Sequence, residues 1–238
     1  MRRFQITATF LLTLLLGSLT VFAQTPPVED QQKALEAKRA AAEKALSPSR
    51  EDRAKYAKFL RASDTGLVRL MPREKSDTET YAPNAKRPDI RGGGSYYSFT
   101  GLTHEYGNND LGFELGQFRV GFHGANYGFL TNLGDVALER ITIKSPAALQ
   151  MSTYARVRQE ADARAEYQRF GRGSEIGGVK VKSSVPMQLN STYLLRAVNY
   201  GHTDVLVAFK VVKIESDGSV LLLWKMLRQY STPLLARN

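Results

Sequence analysis

Apolar and polar positions along the chain fall into three regimes, and each predicts a different kind of element. From Phe4 to Phe22 the chain is predominantly apolar and uncharged, with Arg2 and Arg3 ahead of it and Val21-Phe22-Ala23 before Gln24. A basic start, an apolar middle and a small residue at the end make a Sec-type leader, so residues 1–23 are expected to be a signal peptide. An uncleaved anchor is the rival reading, since the run approaches the roughly 20 apolar residues that a spanning helix needs. Its interrupting threonines and cleavage-like ending favour removal and a mature chain beginning at Gln24.

Residues 24–48 form the second regime, rich in alanine, lysine, glutamate and glutamine, with Val28, Leu35 and Leu46 as the large apolar side chains. Such a stretch favours helix yet has little to bury, which predicts a helical or partly disordered arm. Ser47-Pro48-Ser49 breaks the pattern and restarts it, the serine suited to cap and the proline to a first turn. A short helix should then run to about Ala62, with Tyr56, Phe59 and Leu60 able to dock on the main body. Asp64-Thr65-Gly66 ends it, Leu67 to Met71 reads as a strand closed by Pro72, and the polar stretch from Arg73 to Asp89 reads as a surface loop.

At Arg91 glycines, aromatics and β-branched residues take over, which is strand composition. Ser95 to Thr103, Gly112 to Phe122 and Val136 to Ile143 are predicted strands; in the second, Phe118, Val120 and Phe122 alternate with Arg119 and Gly121. Tyr127 to Leu133 has no decisive pattern. Ser145-Pro146 starts a helix, and Arg156 to Phe170 predicts a surface helix with Arg158–Asp162 and Glu160–Arg164 pairs. After the glycine-rich segment 171–178, strands are expected over Val179 to Ser184, Thr192 to Tyr200, Val205 to Glu215 and Val220 to Arg228.

Asp217-Gly218 suits the two central positions of a tight hairpin turn. That register pairs Val211 with Trp224, Val212 with Leu223 and Phe209 with Met226, leaving both faces of the ribbon largely apolar. A ribbon apolar on both sides must be covered twice. It also sets Lys210 opposite Lys225, a repulsive pair unless both reach water or share an anion. The fold class predicted is α+β, mainly antiparallel β-sheet in a sandwich or barrel-like arrangement, with an N-terminal helical arm and one surface helix. Residues 49–238 should form a single β-rich domain with a short leading helix.

Composition narrows the chemistry. The chain has no cysteine, which removes disulfides, lipoprotein anchoring and a thiol nucleophile, so an apolar core must hold the fold. The formal net charge of +10 falls to +8 once a leader with two arginines and no acid is removed. A basic exported protein suits anionic envelope polymer, glycan or peptide partners. Interspersed acids favour solubility instead, and nucleic acid is not expected. No second stretch is long or apolar enough to span a bilayer.

The histidines His104, His123 and His202, together with Glu105, Glu114 or Asp204, are the material for a hydrolytic metal site. Their spacing lacks the zincin pair four residues apart, so neither a metal nor another cofactor is expected. Asp64-Thr65-Gly66 spells the aspartic-protease tripeptide, but a single copy cannot supply two carboxylates that share a proton. Gly92-Gly93-Gly94 lacks the Gly-Lys-Ser/Thr ending of a phosphate loop, and no G-x-S-x-G elbow occurs. Tyr96, Tyr97, Tyr106, Tyr127, Tyr193 and Tyr200 lie near glycines, asparagines and strand ends, where amphipathic rings can build a binding surface or simply fill a core.

The runs Thr65-Gly-Leu-Val-Arg-Leu-Met-Pro-Arg-Glu74, Arg91-Gly-Gly-Gly-Ser-Tyr-Tyr-Ser-Phe99, Leu102-Thr-His-Glu-Tyr106 and Asn199-Tyr-Gly-His-Thr-Asp-Val-Leu-Val-Ala-Phe209 resemble those of exported bacterial proteins of unknown function. The resemblance spans most of the mature chain and implies one exported domain, periplasmic or extracellular, without implying a catalytic residue. The expectation is therefore a non-enzymatic binding or envelope-interaction domain, with Tyr96, Tyr97, His104, Tyr106, Tyr127, Tyr200 and His202 as ligand-binding candidates. The alternative is an exported hydrolase whose site converges from separate strands through His104, Glu105, His123, His202 and Asp204.

Overall fold

Three long apolar strands make the centre of the fold: β9 (Thr192–Asn199), β10 (Thr203–Ile214) and β11 (Val220–Gln229). With β1 (Thr65–Leu70) and β5 (Tyr127–Asn132) they form an antiparallel sheet in the order β1-β11-β10-β9-β5. The computed structural model describes residues 28–75, 90, 92–104, 106–107 and 109–236, so the leader, Glu105 and most of the 73–89 loop lie outside the described residues.

Both faces of this sheet are covered, as their apolarity requires. On one face Val207, Phe209, Leu222 and Trp224 pack with Phe113 and Phe118 of a second antiparallel sheet. That sheet runs β2 (Tyr96–Tyr97), β3 (Leu111–Glu114), β4 (Gln117–Arg119), β8 (Ser184–Pro186). On the other face Leu206, Ala208, Leu221 and Leu223 meet Met151, Ala163 and Phe170. These come from two helices ahead of the β6 (Ser174–Ile176) and β7 (Val179–Val181) hairpin, Pro146–Thr153 and Glu160–Arg172. The architecture is thus α+β and sheet-rich, two sheets face to face with helices behind, and it is not a closed barrel.

Ahead of the sheets lie α1 (Val28–Leu46) and α2 (Arg50–Lys55), so the helices of the second face are α3 and α4. Ser49 caps α2 by accepting from the Asp52 N–H at 3.0 Å. The helix expected to reach Ala62 stops at Lys55 and resumes as a single 3-10 turn, Phe59–Arg61. Tyr56, Phe59 and Leu60 pack against the helix-covered core.

Several strand assignments change. The run from Gly112 to Phe122 folds back on itself, because Leu115 (φ 48°) and Gly116 (φ 68°) form the two-residue turn whose twist suits a hairpin. Val136 to Ile143 is not a strand but a loop with a 3-10 turn at Leu138–Arg140. Tyr127 to Leu133, undecided by pattern because both faces are buried, is β5. The Asp217-Gly218 turn is looser than expected: the Glu215 N–H donates to the Ser219 carbonyl at 2.8 Å, and the Gly218 N–H (φ 81°) donates to the Glu215 carbonyl at 2.9 Å. Together with a bulge between Val211 and Lys213, this sets Phe209 opposite Trp224 rather than Met226. From Val207 to Val211 the displacement is two residues, an even number, so these side chains keep the face predicted for them, while beyond the irregularities, at Val205–Leu206 and Lys213–Ile214, it is one. Lys210 consequently faces Leu223 and Lys225 faces Ala208. The expected lysine repulsion is absent: Lys210 Nζ donates to Asp135 at 2.6 Å and Lys225 Nζ to the Glu139 carbonyl at 3.2 Å.

Candidate cleft at the β1 edge

The sheet has two edges, and β1 is the one beside a cavity. Met226 N–H donates to the Asp64 carbonyl at 2.7 Å, so residues 64, 66, 68 and 70 turn their backbone groups toward β11. Residues 65, 67 and 69 therefore turn theirs outward. Thr65 N–H is held by the Ala62 carbonyl at 3.3 Å, and the Arg69 carbonyl accepts from His104 Nε2 at 2.9 Å. Between these two stops the N–H and C=O of Leu67 and the N–H of Arg69 have no hydrogen-bond partner among the described residues.

Leu67 and Val68 of this edge line a cleft of about 300 Å³ whose walls come from four segments. The end of α1 and the following turn supply Glu43, Leu46 and Pro48; α2 supplies Arg53; β2 and the loop after it supply Tyr97, Leu102 and His104. Leu46 is seated because residue 94 is glycine: a Cβ there would overlap the Leu46 side chain. Arg69 fastens the same corner by donating to the Ala45 carbonyl at 2.9 Å while pairing with Glu215 (2.6 Å) and Asp217 (2.7 Å).

The cleft's two faces differ in character. Val68 belongs to the core between the sheets, and on its side Tyr97 meets His104 edge to face, with ring centroids 5.3 Å apart. Leu102, held at φ 53° in the tight turn before Thr103, is 61% exposed at the rim of this wall. Burial lowers the His104 pKa, opposed by the Arg69 carbonyl and by Glu43, so the ring is neutral at pH 7 with its proton on Nε2. Burial likewise pushes the Tyr97 hydroxyl up to about 12, and it stays protonated. Leu67 belongs to the opposite core, on the side of α2. Arg53 of α2 lines the cleft near enough to Tyr97 to oppose the effect of burial on its hydroxyl; it is exposed and makes no ion pair or hydrogen bond among the described residues, whereas Arg39 pairs with Glu43 at 3.2 Å.

The other candidate residues are distributed elsewhere. Tyr96, Tyr106 and His123 form a separate aromatic cluster, with Tyr96–Tyr106 at 4.7 Å and Tyr106–His123 at 4.6 Å, and Arg73 lies over Tyr96 at 5.4 Å. Tyr127 and Tyr200 sit beneath the helices, 6.2 Å apart. Tyr127 is fully buried and accepts from Val157 N–H at 3.2 Å, and Tyr200 donates to the Val157 carbonyl at 2.6 Å, so both rings anchor the loop between α3 and α4. Tyr193 is core, stacked on Phe209 at 5.1 Å.

His202 is exposed in the turn between β9 and β10. Asp204, two residues on, is fully buried and accepts from Arg196 Nε at 2.6 Å and from Arg156 Nη1 at 2.8 Å. Arg196 also lies 3.5 Å below the centre of the Tyr230 ring. This network ties the C-terminal segment to the sheet and engages the Asp204 carboxylate with two guanidiniums. Asp110 is a second buried carboxylate, satisfied by neutral donors: Asn199 at 2.9 Å, Thr203 at 2.6 Å and the Phe99 N–H at 2.9 Å. Burial raises its pKa. Among the described residues no group of three or more histidine, aspartate or glutamate side chains is arranged to hold a metal ion.

Of the predicted ligand residues, then, the cleft joins Tyr97 and His104. The sequence reading missed Arg53, Leu102 and the outward backbone of Leu67. Leu102 and Arg53 carry no local pattern, and which strand ends a sheet is a property of topology. No family model, no curated protein and no solved structure matches this chain.

Proposed function

We propose that this chain is an exported, non-enzymatic binding domain that holds its ligand in the cleft beside β1. The observation that carries the reading is the edge-to-face Tyr97–His104 pair in the wall of a cavity of about 300 Å³, at the lower bound of ligand-pocket sizes. Binding rather than turnover is favoured by the state of the groups there. His104 commits its Nε2 proton to a backbone carbonyl, Tyr97 is too weak an acid to ionise, and no hydroxyl or carboxylate is hydrogen-bonded to His104 Nδ1 among the described residues. The dispersal of His104, His123 and Asp204 into three neighbourhoods weighs against the hydrolase alternative. Export rests on the leader-like pattern of residues 1–23.

Amide NMR spectra of the mature chain, titrated with acetylated dipeptides, N-acetylglucosamine and inorganic phosphate, test the site. Perturbation of Leu67, Leu102 and His104 by at least one probe is expected. Shifts confined to other surfaces, or ester, peptide or glycoside hydrolysis abolished by His104→Ala, would overturn the reading. Mass spectrometry of the exported protein should find Gln24 as its first residue.

A further inference from the structure

Resting on that reading, we infer that the occupant of the cleft is an extended acidic peptide that adds as a strand to the outer edge of β1. The ladder geometry comes first. From the Thr65 carbonyl to the Arg69 N–H, the edge offers an alternation of acceptor and donor in the order C=O, N–H, C=O, N–H, carried by residues 65, 67 and 69. That is the pattern a neighbouring strand requires, and it is what peptide-binding domains use when they take a ligand by strand addition. At about 3.3 Å per residue the open stretch is roughly 13 Å long, room for some four residues of ligand. Its two ends are closed by Ala62 and by His104, so the register of an added strand is fixed by the protein.

The chemistry of the side chains follows from the two faces. Successive residues of an added strand point alternately to either side of the sheet. On the Val68 side they meet Tyr97 and the exposed Leu102, which suits an apolar or β-branched residue. Arg53 lines the same cleft close enough to bear electrostatically on Tyr97, a cation with no counter-ion among the described residues, and it suits a carboxylate. Glu43 is already neutralised by Arg39, so the cleft is net positive while His104 is neutral. The ligand is accordingly a strand that carries both apolar and acidic residues. A neutral glycan could reach these groups with its hydroxyls, but it brings neither a carboxylate for Arg53 nor the evenly spaced amides that match the strand edge.

The test uses the mature chain and fluorescein-labelled hexapeptides of alternating valine and glutamate, valine and lysine, and valine and glutamate N-methylated at every second amide. Fluorescence polarisation should show saturable binding of the first, with the lysine and N-methylated peptides weaker by tenfold or more. Arg53→Glu, on an exposed position of α2, should weaken the glutamate peptide tenfold or more and strengthen the lysine peptide. Leu67→Pro removes the outward N–H without touching a β11 hydrogen bond and should abolish binding. Should that variant unfold, the N-methylated peptide answers the same question in the wild-type protein. Equal affinity for the three peptides, or indifference to Arg53→Glu, overturns the inference. If no peptide binds but N-acetylglucosamine or phosphate perturbs the cleft amides, the strand-addition inference fails and the binding site stands. If no probe perturbs them, both fail.

Discussion

The two edges of the central sheet are treated differently. At the β5 edge, Leu130 exchanges both backbone bonds with Lys182, at 2.7 and 3.0 Å, and the α4 side chain Phe170 packs on Tyr127 and Phe129 from the helix face. At the β1 edge, single contacts from Ala62 and His104 stop the strand at its ends and leave the middle open to a cleft. An unpaired edge is a hazard, because it invites any extended chain to pair with it. A protein that seals one edge with a backbone bridge and lines the other with aromatics, a cation and a turn of helix has kept the second hazard in a restricted, shaped form.

Breaking the sealed side should have the largest effect. Phe170 is fully buried between α4 and β5, and Phe170→Ala should lower stability by about 3–5 kcal/mol in urea unfolding. On the open side the corresponding truncation is Leu46→Ala. Most of α1 is exposed, so its end can relax, and a loss of about 2 kcal/mol is expected together with faster proteolysis of residues 28–46. A Leu46→Ala loss as large as that of Phe170→Ala would mean the arm is part of the main core.

Acid should act on the open edge and spare the sealed one. His104 has a folded pKa below its ordinary 6.5, so between those two values the unfolded chain binds more protons than the native one. Its contribution to stability is therefore complete above pH 6.5 and lost as pH falls through the folded pKa. His104→Gln retains an N–H donor for the Arg69 carbonyl and should flatten that part of the pH profile. Asp110 slopes the other way: its raised pKa makes the native state bind the extra proton just above pH 3.8, so stability from this group falls as pH rises through that window. A profile still steep just below pH 6.5 in the glutamine variant would assign the effect to another group. Smallest of all, Arg53→Ala should leave the urea midpoint unchanged, since the side chain is exposed and holds nothing together among the described residues.

The sequence carried the sheet further than the site. β9, β10 and β11 were legible because their apolar runs are long, and burial on both faces followed from the hairpin even though its register was two residues off. The error arose where local chemistry is ambiguous, since Asp217-Gly218 serves a three-residue loop as well as a two-residue one. Leu115-Gly116 escaped notice because a leucine at φ 48° is an unusual turn residue. Tyr97 and His104 were named as ligand residues but could not be told from Tyr127 or Tyr200, which have the same composition around them and turn out to be anchors of a loop. What separates the two pairs is the neighbouring edge, and an edge is made by strands 150 residues apart in sequence, Arg69 beside Ser219.

Amide hydrogen exchange compares the edges directly, residue by residue, in a chain of residues 24–238 at neutral pH. Leu130 and Lys182 should be strongly protected, and so should Val68, which faces β11, while Leu67 and Arg69 exchange orders of magnitude faster and slow down when the valine–glutamate peptide is added. Protection of Leu67 equal to that of Val68 in the free protein would mean the β1 edge is already paired, and would contradict the account.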